Sequence, residues 1–308
     1  MLREVKKFGN TTGNKLFSLG YLSKVTKGGS TRVLSITSGK GGVGKTNIAT
    51  NLACALVQKG KKVLVFDADL GLANIDILMG ITPEYTIEHV IKGKKRLSDV
   101  IITTPEGVHI LPSSSGVEEL TNLSLFQKKK LIEEFSLLND TYDFIIIDTP
   151  AGISSNVIYF NLAASEIINV IEPDPTSFTD AYALMKVLSV RYGVEEFNIV
   201  VNCVDSEAQA REIFQKMNMV CERFLQVRLR YMGHIFKDKK LLQAVRNQRP
   251  VTVLFPYSKA SRCIYSLSDT ICKVVPKNKE SGFRRFLNKL FGKEEKHNEQ
   301  VESNGKGL

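Results

Sequence analysis

The sequence predicts an α/β fold, a mostly parallel, doubly wound sheet with helices on both faces. Three observations lead to this prediction. Short, continuous apolar runs alternate with stretches of helical period from residue 31 onward, the runs have the length of buried strands, and the first run leads into a glycine-rich loop. Continuous apolar runs, unlike alternating ones, are typical of strands that helices cover on both faces. With 43% hydrophobic residues, the chain has enough apolar side chains for a packed core.

Seven apolar runs are predicted as strands, and helices are expected to fill the gaps between them. The predicted strands are 32–37, 63–66, 108–111, 144–147, 167–171, 198–201 and 231–235. One helix start is indicated by Ser124 with Gln127 three residues later, the pattern of a capping box. Ligands of such sheets bind beyond the carboxyl ends of the strands, so the polar residues that follow the strands are the candidates for a site.

The segment that follows the first strand carries the most specific motif. Gly39–Thr46 fits the phosphate-binding pattern G-x-x-x-x-G-K-T between a strand and a helix start. In such a loop, backbone N–H groups surround phosphate oxygens, the lysine reaches the terminal phosphates, and the threonine hydroxyl ligates Mg²⁺. The predicted ligands of ATP or ADP here are Gly39, Lys40, Gly41, Gly42, Val43, Gly44, Lys45, Thr46 and Asn47. The predicted fold is therefore that of a P-loop NTPase.

Two further predicted strands end in aspartate. The second strand is followed by Asp67 and Asp69, and the fourth by Asp148. An aspartate after an apolar strand commonly holds Mg²⁺, directly or through water, beside a phosphate loop. Thr46, Asp67 and Asp148 are therefore the predicted magnesium residues. Capping of a strand end is the alternative, above all for Asp67.

A second loop lysine, Lys40, gives the loop the form K-G-G-V-G-K-T, which resembles the deviant Walker A loop of the MinD/ParA ATPases. The resemblance covers residues 31–275 and implies a homodimer formed with ATP, in which Lys40 touches the nucleotide of the other subunit. It also implies that Lys40, Lys45 and Asp69 are catalytic, with Asp69 orienting the attacking water. Asp148 matches the Walker B magnesium residue. Hydrolysis of ATP is expected to be slow and stimulated by a partner.

The same resemblance extends to the base of the nucleotide. Asn202 follows the sixth predicted strand, where the family has an asparagine that contacts the adenine edge. Pro250 lies in a segment, Gln248–Val251, that resembles the one packed near the base. A turn residue is the alternative role for Asn202. The segment Pro173–Asp180 begins a predicted long helix in a neighbourhood where this family meets regulatory partners.

The residues around the second aspartate distinguish the branches of the family. Asp67–Asp76 reads D-A-D-L-G-L-A-N-I-D, whereas ParA partitioning proteins usually have Pro-Gln after the second aspartate. This string resembles the FlhG proteins (also called FleN or YlxH), which regulate flagellar number and placement, more than it resembles MinD. The implied partners are the flagellar signal-recognition-type GTPase FlhF and a switch protein of the flagellar C-ring. MinD-type division-site selection and ParA-like positioning of DNA or cargo stay open as alternatives.

The predicted catalytic body is preceded by a basic extension, residues 1–30, as FlhG proteins have. In many FlhG proteins the extension stimulates FlhF through a D-Q-A-x-x-L-R motif. Residues 1–30 of this sequence lack that motif, so the sequence leaves open whether this extension activates FlhF.

The segment 276–308 is predicted to contain a linker, an amphipathic helix over 281–292 and a polar tail. An apolar stripe with flanking cations is typical of a helix that lies on an anionic membrane surface. The stripe consists of Phe283, Phe286, Leu287, Leu290 and Phe291. Because two such helices in a dimer bind more tightly than one, the ATP-bound protein is expected on the inner face of the cell membrane. Docking of the helix on the body or on a partner is the alternative.

Charge and composition exclude several other classes. The first thirty residues carry six Lys or Arg and one Glu, and 276–308 carries eight Lys or Arg and five Glu, so most of the net charge of +10 lies outside the predicted body. This distribution favours an anionic membrane and makes nucleic acid an unlikely partner. No apolar run of about 18 residues and no signal peptide is found, which predicts a cytoplasmic protein. The five cysteines form no C-x-x-C pair, which disfavours an iron–sulfur role.

Overall fold

The computed structural model describes residues 31–69, 74–113, 123–138 and 141–274. The basic extension and the segment 276–308 lie outside the described residues. The predicted membrane helix therefore stays a prediction, as do the roles of its residues Phe283, Phe286, Leu287, Leu290 and Phe291.

Eight strands form a single sheet in the described part of the chain. They are β1 (Arg32–Ser38), β2 (Val63–Asp67), β3 (Ile102–Thr103), β4 (His109–Leu111), β5 (Phe144–Ala151), β6 (Glu166–Ile171), β7 (Glu196–Val204) and β8 (Arg228–Phe236). Their order across the sheet is β3-β4-β2-β5-β1-β6-β7-β8, and all neighbours are parallel except β3 and β4. Strand β1 lies between β5 and β6, so the loop that follows it opens at the middle of the carboxyl edge, where such sheets bind ligands.

The helices cover both faces of this sheet. They are α1 (Lys45–Gln58), α2 (Ile75–Met79), α3 (Ile87–Ile91), α4 (Leu97–Val100), α5 (Leu125–Ser136), α6 (Ser155–Ala163), α7 (Pro175–Tyr192), α8 (Glu207–Leu225), α9 (Lys239–Arg246), α10 (Val251–Leu254) and α11 (Lys259–Lys273). Within the described ranges, none is both long and apolar enough to cross a membrane.

Alternating strand residues divide the core between the two faces. Leu34 of β1 packs with α1 and α11, whereas its neighbour Val33 packs with α5 and α6 on the opposite face. A third cluster joins β6 and β7 to α7 and α8 around Phe197. Because both faces of the central strands are buried, β2 and the first half of β5 are almost entirely apolar, which is why continuous runs in the sequence predicted them. The doubly wound α/β prediction is confirmed.

All seven predicted strands are present, and the differences lie at their ends. Strand β5 continues past Ile147 to Ala151, because the polar segment that follows still pairs with β1 as far as Ser38. Helix α1 begins at Lys45, directly after a left-handed Gly44. Strand β3 was not predicted, since two residues are too few to give a pattern. The capping box was predicted correctly, and the Ser124 hydroxyl accepts a hydrogen bond from the backbone N–H of Gln127.

Candidate nucleotide-binding site

The loop between β1 and α1 is packed so closely that glycine is required at two of its positions. A Cβ atom on Gly39 would lie 2.1 Å from the carbonyl oxygen of Asp180 in α7. A Cβ atom on Gly44 would lie 2.6 Å from the side-chain nitrogen of Asn202, and Gly44 also has a left-handed φ of 87°. Such a backbone lets its N–H groups approach a phosphate directly, next to the N-terminus of α1.

Lys45 lies inside the protein, at the start of α1. Its side chain is only 8% exposed, and its Nζ donates a hydrogen bond to the Ser38 hydroxyl over 2.9 Å. Burial lowers the pKa of Lys45, while the charges of Asp148 and Asp69 act in the opposite direction. The Ser38 hydroxyl in turn donates to the Lys40 carbonyl over 2.6 Å. The ammonium group is thus held in place beneath the loop, where it would face a bound phosphate.

Two of the three predicted aspartates meet beside Lys45. Asp67 ends β2 and Asp148 lies in β5, and the two residues are direct partners in the register of the neighbouring strands. Burial raises the pKa of Asp148 to about 7, although the Thr46 hydroxyl and Lys45 lower it. Burial, and then the nearby Asp148, raise the pKa of Asp67 well above its ordinary value. Two buried carboxyl groups that repel each other form a strongly cation-attracting site.

Asp69 follows Asp67 by two residues and, unlike Asp67, is only half-buried. Its backbone N–H donates to the Asp67 carboxylate over 3.1 Å, and its carbonyl oxygen accepts from the Ser113 hydroxyl, also over 3.1 Å. Its charge acts on both Lys45 and Asp148. The structure therefore places Asp69 at the rim of the same site, with its backbone fixed on both sides.

These residues fit a magnesium ion that is bound together with phosphates. Asp148 has a buried carboxylate oxygen that finds no hydrogen-bond partner in the described part of the chain. The Thr46 hydroxyl is hydrogen-bonded to the same carboxyl group. Among the described residues, no three or more His, Cys, Asp or Glu side chains form a complete metal cage. Mg²⁺ at phosphate sites needs only one or two protein carboxylates, because water and phosphate oxygens complete its shell.

Lys40, the second loop lysine, has different surroundings. Its side chain is 38% exposed, and its Nζ lies 3.2 Å from a carboxylate oxygen of Asp174. Asp174 is the N-cap of α7 and accepts hydrogen bonds from the backbone N–H groups of Thr176 and Ser177, each at 3.0 Å. The structure thus brings Lys40 to the outer surface of the loop, against the first turn of α7 and away from Asp148.

Asn202, one of the two residues predicted to contact the base, is in contact with the loop. The Asn202 side chain donates to the Val43 carbonyl over 2.8 Å, and its amide oxygen is buried with no partner among the described residues. The next residue, Cys203, has a left-handed φ of 57°, which is unusual for a residue other than glycine. A buried amide with a free acceptor and a strained backbone beside it are typical of a binding site.

Pro250 is buried and directly precedes α10. Hydrogen bonds to Asn51 connect α10 to α1. Asn51 of α1 accepts hydrogen bonds from the backbone N–H and the hydroxyl of Thr252, over 3.0 and 3.1 Å. The amide nitrogen of Asn51 donates to the Asn47 carbonyl over 2.8 Å. The segment that contains Pro250 is therefore attached to the helix that follows the phosphate loop.

The sequence did not reveal Ser38, Asn51, Asp174 or Thr252 as parts of this site. The partners Lys40 and Asp174, and likewise Asn51 and Thr252, are far apart in the chain, so no local spacing connects them. Only Asp174 carried a usable signal, because Asp-Pro-Thr-Ser is typical of a helix start.

Comparison with known proteins agrees with this geometry. A family model described as an AAA domain matches residues 31–198. The chain is 42% identical over 260 residues to the antiactivator FleN of Pseudomonas aeruginosa, covering 84% of this chain and 93% of that protein. It is 33% identical over 273 residues to the flagellum site-determining protein YlxH of Helicobacter pylori, covering 86% and 92% of the two chains.

A solved structure extends the similarity to a nucleotide complex. The septum site-determining protein MinD of Pyrococcus horikoshii, solved with Mg-ADP, has a TM-score of 0.65 and 29% identity, over 79% of this chain and 96% of that one. With a phosphate loop that carries two lysines and two strand-end aspartates beside it, the chain belongs to the MinD/ParA family of P-loop ATPases, in the branch that contains FleN and YlxH.

Proposed function

We propose that this protein is an ATPase of the FlhG type, which dimerises with ATP, associates with the membrane in that state and regulates flagellar number and placement. The observation that carries the proposal is the unequal placement of the two loop lysines. Lys45 is buried beside Asp148, whereas Lys40 is at the surface of the same loop. One lysine can serve the nucleotide of its own subunit and the other that of a second subunit.

The proposed hydrolysis uses groups that the fold already positions. Lys45 and the loop N–H groups bind the terminal phosphates, and Thr46, Asp148 and Asp67 hold a magnesium ion. When bound, Mg²⁺ neutralises charge on the transferred phosphoryl group. Asp69, at the rim, orients the attacking water. Asn202 and Pro250 contact the adenine side. Since Asp69 is the only one of these acids that is not fully buried, access of water is expected there.

Dimerisation would require Lys40 to leave Asp174 and to reach the nucleotide of a second copy. Exposed ion pairs of this kind are weak, so Lys40 can move away at low cost. Asp174 keeps its other hydrogen bonds from the start of α7 and so continues to cap that helix. Formation of the dimer and stabilisation of the transferred charge would then depend on the same lysine.

Membrane association and partner binding are inferred from the sequence and the relatives. The apolar stripe in 281–292 would place the dimer on anionic lipid, and hydrolysis would release it. FlhF and a C-ring switch protein are the proposed partners. MinD-type division-site selection is the second candidate, because MinD of Pyrococcus horikoshii shares the fold over 79% of this chain.

Deletion of the gene tests the proposal. Cells are examined by electron microscopy for flagellar number, flagellar position and minicells. The proposal expects altered flagella with normal division. Minicells with normal flagella would assign the protein to the MinD role instead. If neither changes, binding of the ATP-bound protein to DNA should be measured against salt concentration, because steep salt dependence would support a ParA-like role.

A further inference from the structure

A second concave site lies at the open edge of the sheet. It is a groove of about 830 Å³, a size that accommodates ligands. The carboxyl half of β8 forms its floor, the first turn of α8 forms one wall, and α11 forms the other. Of the residues predicted to bind nucleotide, none lines it within the described part of the chain. Among the strands that the structure describes, β8 has a neighbour, β7, on one side only.

The floor of the groove offers backbone hydrogen-bonding groups. The N–H of Arg228 donates to a carbonyl just before β7 over 2.8 Å, and the N–H of Lys237 donates to the last residue of β7 over 2.9 Å. These two residues therefore turn their backbone towards β7. Because successive residues of a strand alternate, Tyr231 and Phe236 turn their backbone groups away from β7. The Phe236 N–H is hydrogen-bonded to the Cys263 side chain of α11, so Phe236 offers only its carbonyl oxygen. Unpaired edge groups of this kind are a template for an added strand.

A bulge limits how long such an added strand can be. The register between β8 and β7 shifts after Tyr231, so that Met232 is an extra residue before Gly233. Gly233 has a φ of 144°, and a Cβ atom there would have nothing within 4 Å. A bulged edge disfavours long, regular pairing, which is how proteins avoid aggregation through their edges.

Aromatic rings line the same stretch of β8. The Tyr231 hydroxyl is 2.9 Å from Nδ1 of His234, and the rings of His234 and Phe236 are 4.6 Å apart. The guanidinium of Arg211 lies over the Tyr231 ring at 5.2 Å. This surface suits an apolar or aromatic side chain of a bound segment.

The charge of the groove is positive. Arg211 is paired with Glu207 of the same helix, α8, at 2.8 Å, and Lys237 is paired with Asp205 at 3.3 Å. Lys259 and Arg262, on α11, have no ion pair among the described residues. Both lie in the first turn of α11, where the helix dipole disfavours cations. The Asp238 carboxylate accepts from the N–H of Ala260 in this turn, and Arg262 Nε donates to the Tyr257 carbonyl over 3.1 Å. The Lys259 ammonium and the remaining N–H groups of Arg262 have no carboxylate partner among the described residues and are available for an anionic ligand.

We propose that this groove binds an extended acidic peptide segment of a partner protein as a short strand added to β8. The backbone of the segment pairs with Tyr231 and with the carbonyl oxygen of Phe236. Its apolar side chains contact the aromatic rings, and its carboxylates face Lys259 and Arg262. The mode is strand addition, in which the backbone gives affinity and alternate side chains give selectivity. It is independent of nucleotide, because the groove shares no side chain with the loop site.

The experiment selects peptides that bind the full chain from a displayed library of random nonapeptides. Peptides that also bind the Lys259→Glu/Arg262→Glu double variant are removed by counter-selection. The proposal expects enrichment of acidic peptides in which apolar residues alternate. Binding of the best synthetic peptide, measured by fluorescence anisotropy, should weaken roughly tenfold in the double variant. Thermal melting checks that the double variant is folded, because Arg262→Glu removes the hydrogen bond to the Tyr257 carbonyl and both new carboxylates lie near Asp238. The matched control is Lys94→Glu/Lys186→Glu, which makes the same charge change at exposed positions elsewhere.

Hydrogen exchange identifies the bound surface. Protection that the peptide confers on 228–236 supports the proposal. Four results would overturn it: no enriched peptide, enriched peptides that are basic, protection elsewhere, or equal loss of binding in the control variant. Anionic vesicles are tested in parallel, and vesicle binding that the double variant alone abolishes would assign the groove to lipid instead. ATP hydrolysis by the double variant should equal that of wild type, so failure of this proposal is separate from failure of the proposed ATPase.

Discussion

The inner half of the phosphate loop, Val43–Thr46, and its outer half, Lys40–Gly42, differ in almost every physical respect. The inner half is packed against Asn202 and contains a lysine that is 8% exposed. The outer half has exposed glycines and a lysine that is 38% exposed, tied to the body by one ion pair. The same short motif therefore contains one part that is fixed by the core and one part that is free to change partners.

This difference is what the proposed dimer requires, in which one loop contacts two nucleotides. Rigid, buried donors give a preorganised phosphate site within one subunit. A long, exposed lysine with a weak local partner is suited to a contact that forms only in an assembly. The following predictions compare residues of the two halves, or residues that contact them or lie beside them.

The largest effect is expected for Lys45→Ala compared with Lys40→Ala. Loss of the buried ammonium should weaken ADP binding by roughly 100-fold or more, because charged hydrogen bonds to phosphate are strong. Loss of the exposed Lys40 should change ADP binding by less than about fivefold. Titration calorimetry with Mg-ADP measures both. Equal losses in the two variants would show that both lysines serve the same nucleotide.

The second effect concerns the glycines. Gly39→Ala should destabilise the protein by ~1–3 kcal/mol, because its Cβ would overlap backbone atoms of α7 that cannot move freely. Gly41→Ala, in the outer half, is the matched control, since its Cβ would lie 3.9 Å from the nearest side-chain carbon. Urea unfolding of both variants provides the comparison. A Gly41→Ala variant as unstable as Gly39→Ala would contradict the freedom assigned to the outer half.

The third effect is a gain of stability. Asp148→Asn removes a buried carboxyl group with an unpartnered oxygen and should raise the free energy of unfolding by ~1–3 kcal/mol without nucleotide. The same change should abolish magnesium-dependent hydrolysis. Asp205→Asn, at an exposed position, is the control and should change neither. A destabilised Asp148→Asn variant would show that Asp148 is a structural residue.

The smallest effect concerns the contribution of Asp174 to stability at low pH. Hydrogen bonds from Thr176 and Ser177, together with Lys40, lower the pKa of Asp174 to about 2. A lowered carboxyl pKa stabilises the fold above the ordinary value of 3.8, and this contribution is lost as the pH falls through about 2. Asp174→Asn keeps a capping side chain but cannot titrate, so its melting temperature should fall less steeply than that of wild type from pH 4 to pH 2. Parallel curves for the two proteins would contradict the assigned pKa.

The sequence was sufficient to predict those strands in which consecutive residues are buried and apolar. The run at Phe144–Ile147 predicted β5 because both faces of that strand are covered. It could not show that β5 continues through Pro150 to Ala151, since that extension depends on pairing with Ser38. The phosphate-loop motif and the two strand-end aspartates predicted residues that the structure brings together around Lys45.

Contacts between distant parts of the chain could not be predicted from the sequence. Asp174 meets Lys40, and Thr252 meets Asn51, only because the sheet order brings their elements together. The unpartnered oxygens of Asp148 and Asn202 likewise depend on packing that no local pattern specifies.

The most direct test of the central claim, that Lys40 serves the nucleotide of another subunit, is a mixing experiment. Lys40→Ala and Asp69→Ala are each assayed for ATP hydrolysis alone, and both should be inactive. In a mixed dimer, the Lys40→Ala subunit keeps its own Asp69 and can receive Lys40 from its partner. The account predicts that mixing restores hydrolysis, in proportion to the mixed dimer formed. A mixture that dimerises with ATP but stays inactive would show that Lys40 acts within its own subunit and would contradict the account.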